Sequence, residues 1–242
     1  MRASFLRSLW IKIYSALITI RISLLVIYYS IFHVHNARQR TDKLAWWWAA
    51  RLLRAIRLNY TFHDPYHLAL QPGKRYIIMC NHCSFYDIPL SFLAIRCSMR
   101  MITKKELFRV PIWGTAMKFS EFVPIDRQNR KKAIEQLRHA AEKLSSGIVL
   151  WIAPEGTRSK TGTLGPLKKG GFKLAAQVDA EIIPLRIEGA NRLYDERSGR
   201  FLLNQHVDMT IGQAINVRSY RDNEPALIET VAARLKPENR DF

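Results

Sequence analysis

Arg75-Tyr76-Ile77-Ile78-Met79-Cys80 leads without a break into Asn81-His82-Cys83-Ser84-Phe85-Tyr86-Asp87 and then into Ile88-Pro89-Leu90-Ser91-Phe92-Leu93-Ala94-Ile95. The first six residues read as an apolar strand, the last eight as a helix, and the seven between them as the turn that joins the two. The same unit recurs along the chain. Strand-type runs at 100–103, 122–125, 148–152, 181–187 and 206–211 alternate with helical stretches at 106–119, 130–144, 169–178 and 224–235. This alternation predicts an α/β fold, a mixed and largely parallel sheet flanked by helices. Sites in such sheets cluster where strands end and helices begin. Pro184, inside an apolar run, suggests an edge strand or a bulge, and 192–200 reads as a polar surface connection.

His82 and Asp87 fall in the first of these strand-to-helix turns. On a regular helix they would point ~140° apart. They meet if His82 lies in the turn and Asp87 in the first turn of the helix. An aspartate bonded to one imidazole nitrogen fixes the tautomer and leaves the other nitrogen free as a base. Cys80 and Cys83 form a C-x-x-C, yet zinc needs two further ligands and Cys97 has no paired cysteine near it. Cys80 therefore reads as a buried strand end.

A second turn, Ala153-Pro154-Glu155-Gly156-Thr157-Arg158-Ser159, follows the run 148–152. Glycine, threonine and arginine at a strand end suit an anion, with backbone amides, a hydroxyl and a bidentate cation. Lys168-Lys169-Gly170-Gly171 then opens a helix whose N-terminus adds positive potential. The G-x-x-x-x-G-K-[ST] pattern of a P-loop is absent. Phe122-Val123-Pro124-Ile125-Asp126-Arg127 places another arginine just after a strand.

The chain has 242 residues, 48% of them apolar, with 38 Lys+Arg against 20 Asp+Glu and a net charge of +18. That is too apolar for a disordered basic tail and enough for a sizeable core. Three cysteines exclude a disulfide scaffold. The charge calls for an anionic partner: nucleic acid, a phospholipid surface or a phosphorylated small molecule. Its distribution is uneven. Residues 1–60 hold ten basic side chains and one acid, Asp42, while between Ile13 and Ala37 only Arg21 is charged. A bilayer core needs about 20 apolar residues, and no signal-peptide cleavage site follows Phe32. Residues 1–60 are expected to form a retained membrane anchor, spanning or lying flat, and 61–242 a globular domain. Ser4, Ser8, Lys12, Ser15, Thr19 and Ser23 make one polar stripe on a helix. It suits either lipid headgroups or a closely packed second helix. Trp46-Trp47-Trp48 beside Arg51, Arg54 and Arg57 fits the headgroup level. A nucleic-acid partner does not fit, because half the charge lies beside the apolar anchor and the globular part lacks aromatic–basic interleaving.

In this order the segments resemble the four motif blocks of the glycerolipid acyltransferase family, and within it the small bacterial 1-acyl-sn-glycerol-3-phosphate acyltransferases. Asn81, His82, Ser84 and Asp87 match N-H-x-S-x-x-D. Ile125, Asp126 and Arg127 match the end of the second block, residues 154–159 match P-E-G-T-R-S in full, and Ile183-Pro184 match the fourth. Lys104-Lys105-Glu106-Leu107 and the stretch 165–171 are also typical of the family. The resemblance covers about residues 70–190. Pro124 stands where an aromatic is common and Ala153 replaces the usual Phe, departures that bear on acyl-chain or acceptor preference.

The resemblance implies an O-acyltransferase of phospholipid biosynthesis. It would move a fatty acyl group from acyl-CoA or acyl carrier protein to the sn-2 hydroxyl of lysophosphatidic acid. His82 is implied as general base and Asp87 as its orienting partner, with no acyl-enzyme, metal or cofactor. Lys104, Arg127, Glu155, Gly156, Thr157 and Arg158 are implied as the acceptor phosphate and glycerol site. Because Glu155 has the wrong charge for phosphate, it is expected to hold an arginine or lysine or to accept from the glycerol. Membrane phospholipids are the implied surroundings, with the catalytic domain on the cytoplasmic side, at the inner membrane if bacterial. The alternatives are another acceptor, such as glycerol 3-phosphate or a different lysolipid, and a non-catalytic phospholipid-binding module.

Overall fold

The structure, a computed structural model, describes residues 1–126 and 129–236. Its main sheet contains β1 (Asn59–His63), β2 (Tyr76–Cys80), β3 (Met99–Lys104), β4 (Val123–Ile125), β5 (Val149–Ile152) and β6 (Glu181–Glu188). After a small hairpin of β7 (Tyr194–Asp195) and β8 (Arg200–Phe201), β9 (His206–Ile211) and β10 (Ile215–Asn216) complete it. The order is β1-β9-β6-β2-β5-β3-β4, with β10 also on β6. Strands β6, β2, β5, β3 and β4 are all parallel, so their C-terminal ends share one edge. β9 runs antiparallel to β6, and β1 pairs parallel with β9.

Side-chain alternation along the central strands builds two cores, one on each face. Ile77 and Met79 of β2 and Leu150 and Ile152 of β5 pack with α5 (Arg130–Ser145), α6 (Gly170–Gln177) and α7 (Glu224–Leu235). Ile78, Cys80, Val149 and Trp151 face the other way, toward α1 (Phe5–Phe32), α2 (Ala37–Ala55) and α3 (Asp87–Ala94). The mixed sheet between two helical layers agrees with the expectation from sequence.

The composition boundary near residue 60 is not a gap in packing. Ala3 N donates to Phe201 O at 2.9 Å and Leu203 N to Met1 O at 2.8 Å. Asp42 of α2 pairs with the buried Arg100 of β3 at 2.6 Å, and Arg38 grips Glu121 through Nε and Nη2. Leu52 and Leu53 of α2 are part of the same core as Ile78 and Trp151. Helix α2 covers sheet surface that the eight-residue α3 is too short to cover alone.

The polar stripe of α1 turns inward, the closely packed arrangement of the two expected. Ser8 and Ser23 are buried, and Trp48 Nε1 donates to Thr19 Oγ1 at 2.9 Å. The opposite face leaves Leu6, Trp10, Ile13, Leu17, Ile20, Leu24, Tyr28 and Ile31 exposed along the whole helix. By length and composition α1 is apolar enough to cross a membrane.

Three local expectations are corrected. The helix expected over 106–119 is a 3₁₀ turn at Lys105–Arg109 followed by α4 (Trp113–Phe119). Pro111 divides them, since the residue before a proline is driven out of the helical region and Val110 is extended at ψ 124°. Pro184 lies in an interior strand, not on an edge. It is tolerated because β9 ends at Ile211 opposite Leu185 and β10 resumes at Ile215 opposite Ile182, so the ladder is interrupted where the proline has no N–H to give. The segment 192–200 carries the β7–β8 hairpin, which Arg2 and Lys12 meet through Asp195 and the Tyr194 ring.

Candidate active site

The site begins where β2 leaves the sheet. Asn81 is buried there and replaces the ladder with its own amide. Its Nδ2 donates to Ile187 O and its Oδ1 accepts from Ile187 N, both at 2.8 Å. An amide carries the same donor and acceptor as a peptide unit, so the turn starts from a fixed point on β6.

Asp87 is the first residue of α3 and fully buried. Its Oδ2 accepts three hydrogen bonds, from His82 Nδ1 at 2.8 Å, Cys83 N at 2.8 Å and Ser84 N at 2.7 Å. Its Oδ1 accepts none among the described residues. Because a carboxylate only accepts, the neutral imidazole carries its proton on Nδ1 and its lone pair on Nε2. The His82 side chain is 17% exposed, and its Nε2 has no partner among the described residues. The His82–Asp87 contact is therefore made across the strand-to-helix turn, as the 82–87 spacing allows, with Nε2 in a state that can act as a base. Behind it, the Trp151 ring stands at 86° to the His82 ring with centroids 5.9 Å apart.

The turn after β5 is tied to the first. Glu155 is buried, and its Oε1 accepts from His82 N and its Oε2 from Gly165 N, each at 2.8 Å. Ser159 N donates to His82 O at 2.7 Å, and Lys168 N to Pro154 O at 2.8 Å. Gly156 has φ +77°, and a Cβ there would come within 2.9 Å of Lys168 Cδ, Cε and Nζ. The Lys168 side chain thus crosses directly over Gly156. Arg158 lies 3.7 Å above the exposed Phe85 ring, with Glu196 of the β7–β8 turn 4.0 Å from its Nη1.

Cys80 at the end of β2 and Cys83 in the turn are both shifted away from the thiolate. Burial, reinforced by the nearby Asp87 carboxylate, pushes the Cys83 thiol up to about 12 and holds Cys80 well above its ordinary range. A thiol so shifted stays protonated at neutral pH.

The acyltransferase family profile matches residues 60–188, which include the His82–Asp87 turn and the whole 154–168 loop. The chain belongs to the acyltransferase family. The chloroplastic 1-acyl-sn-glycerol-3-phosphate acyltransferase of Arabidopsis thaliana is 33% identical over 140 residues, 58% of this chain and 39% of that protein. The alpha form from Mus musculus is 29% identical over 164 residues, 66% of this chain and 57% of that one. The chain thus spans about two fifths to three fifths of the length of these relatives. The crystal structure of the 1-acyl-sn-glycerophosphate acyltransferase from Thermotoga maritima aligns with a TM-score of 0.79, covering 96% of this chain and 92% of that one. At 22% identity this is a likeness of fold.

Within this acyltransferase domain, hydrogen bonds join His82, Asp87 and Glu155 into one cluster, and Gly156 and Arg158 lie on the same loop as Glu155. Thr157 is exposed between Gly156 and Arg158. Each carboxylate oxygen of Glu155 accepts one backbone amide, one from each turn, a duty not expected from sequence. Glu155 is a brace between loops. Lys104 ends β3 at the same sheet edge, exposed and in register with Ile125. Its neighbour Lys105 turns to Asp126 at 2.5 Å. Arg127 lies outside the described residues. Lys168 was not among the expected site residues. The doublet Lys168-Lys169 signals a helix start, but only the fold shows which lysine folds back over Gly156, while Lys169 pairs with Glu224 at 3.2 Å.

Proposed function

We propose that the chain transfers a fatty acyl group from an acyl thioester to the sn-2 hydroxyl of lysophosphatidic acid, giving phosphatidic acid. The observation that carries this reading is the open Nε2 lone pair of His82, its Nδ1 held on Asp87, on a turn tied by hydrogen bonds to the loop that carries Arg158 and Lys168. The names of the relatives support the acceptor.

In this reading Nε2 takes the proton of the acceptor hydroxyl as its oxygen attacks the thioester carbonyl carbon. The carbon–sulfur bond then breaks, the acyl group stays on oxygen, and the thiolate leaves with the proton from the His82 imidazolium. Asp87 stabilises that imidazolium from the Nδ1 side. A thioester is already activated, so neither Cys83 nor a cofactor is needed for the step. Arg158 and Lys168, with Lys104 from a neighbouring strand end, hold the acceptor phosphate.

The exposed apolar face of α1 supports a membrane-bound enzyme working on a lipid already in the bilayer. Buried Ile11, Ile18, Ile22 and Val26 fasten α1 to the protein body along its length. The helix then lies in the interface with its outer face among the acyl chains, each large side chain contributing ~1.5–3 kcal/mol. In this reading the catalytic domain faces the cytoplasm, where the thioester is supplied.

The test offers the purified full chain in vesicles a panel of acceptors, lysophosphatidate, glycerol 3-phosphate and lysophosphatidylcholine, with acyl-CoA and acyl carrier protein donors. Products are identified by mass spectrometry. Phosphatidate as the dominant product supports the reading; transfer to another acceptor alone replaces the substrate, and no transfer to any acceptor overturns it.

A further inference from the structure

Trp151 lies on β5 in register with Ile78 of β2 and Met101 of β3, so it occupies the middle of the sheet. It is 3% exposed, and a buried indole needs a partner for its N–H. That partner is Ser91 Oγ of α3, at 3.0 Å. Ser91, fully buried, in turn donates its hydroxyl to the carbonyl oxygen of Asp87 at 2.7 Å. A serine bonded to the carbonyl four residues back is common in helices. Here, however, the indole that feeds this serine also stands edge-on to the ring of His82.

One rigid side chain therefore touches both halves of the pair, His82 directly and Asp87 through Ser91. We propose that Trp151 is a positioning residue for acyl transfer, acting with Ser91 to hold the Asp87 backbone and the His82 ring in mutual register. The inference rests on His82 being the base. A small misplacement of a catalytic pair lowers the chemical step without altering ground-state binding of a substrate gripped elsewhere. The hydrogen bond and the ring contact of Trp151 go to Ser91 and His82, not to Arg158 or Lys168 of the proposed phosphate grip.

The experiment compares Trp151→Phe, which keeps a ring and removes the N–H, with Ser91→Ala and the double variant, in vesicles, with His82→Ala alongside. Each single variant is expected to lower kcat about threefold to tenfold, the scale of one hydrogen bond, with acceptor KM unchanged. The acidic limb of the pH profile should move to lower pH, because a loosened Asp87 stabilises the imidazolium less. The double variant should lose no more than the worse single. Unchanged kcat and pH profile in folded Trp151→Phe and Ser91→Ala, while His82→Ala is inactive, overturn the inference and leave the base intact. Losses that multiply in the double variant also overturn it, since the two residues then act separately. Turnover retained by His82→Ala removes the proposed base and the inference with it.

Discussion

Asp87 meets His82 through one carboxylate oxygen only, and that same oxygen accepts the amides of Cys83 and Ser84. Three donors converge on Oδ2 and none of the described residues reaches Oδ1. The aspartate thus shapes the turn and orients the imidazole with a single atom, and the two duties separate by substitution.

Asp87→Asn can place its amide oxygen at the Oδ2 position and its NH₂ where Oδ1 now has no partner. The turn and the tautomer survive, but the charge that stabilises the imidazolium is gone. We expect kcat to fall about 10- to 150-fold, the scale of a hydrogen bond to a charged group at ~1.5–3 kcal/mol. Asp87→Ala strands two backbone amides in the interior at ~1–3 kcal/mol each, so its thermal midpoint should drop well below that of Asp87→Asn. Equal midpoints for the two variants would count against the shared-oxygen account.

Glu155 braces two loops through backbone amides, whereas Arg158 and Lys168 are the cations proposed to hold the acceptor phosphate. Steady-state kinetics should separate them. Glu155→Ala is expected to lower both stability and kcat, while Arg158→Ala and Lys168→Ala chiefly raise acceptor KM, each by about tenfold or more. An unchanged KM removes that cation from the phosphate site.

Gly156→Ala tests the loop geometry directly. Its φ of +77° strains any other residue, and the new methyl collides with the Lys168 side chain. We expect a loss of ~1 kcal/mol or more in stability and a rise in acceptor KM resembling that of Lys168→Ala. Wild-type kinetics in this variant would show that Lys168 is not held over the glycine during turnover.

The raised Cys83 thiol carries a pH prediction with a definite sign. Its group is neutral in the folded protein up to about pH 12 but ionises near pH 9 when unfolded. Its contribution to stability is therefore intact below pH 9 and lost as the pH climbs from 9 toward 12. At pH 7 to 8, iodoacetamide should modify Cys83 slowly, and Cys83→Ala should retain most activity. Rapid modification accompanied by inactivation would restore a nucleophilic role.

The proposed membrane attachment rests on the outer face of α1. Leu17→Asp with Leu24→Asp, both at exposed positions, should abolish flotation with vesicles and leave the circular dichroism spectrum unchanged. Undiminished flotation would move the binding surface elsewhere on the molecule.

The parallel core was legible because β2, β5 and β6 are short apolar runs bounded by turns, and no other element type suits that pattern. The His82–Asp87 contact was legible as well, since a spacing of five brings the two together only across a strand-to-helix turn. Edge strand β1 was not: Asn59–His63 has a largely exposed face and carries no run of buried residues to mark it. The Glu155 brace was equally hidden. Its partners are backbone amides ten residues away and on another strand's loop, and backbone amides leave no trace in residue identity. The direction of α1's polar stripe depended on α2, whose Trp48 supplies the partner for Thr19.

The central claim is that His82 Nε2 removes the proton from the acceptor hydroxyl. It is tested most directly by the rate of phosphatidate formation from an acyl thioester and lysophosphatidate by vesicle-bound His82→Ala, with flotation and thermal unfolding as controls. A positioned base contributes about 10²–10⁴-fold, so the account predicts a loss of at least that size with folding and membrane binding intact. A folded, membrane-bound His82→Ala that turns over within tenfold of the wild-type rate would contradict it.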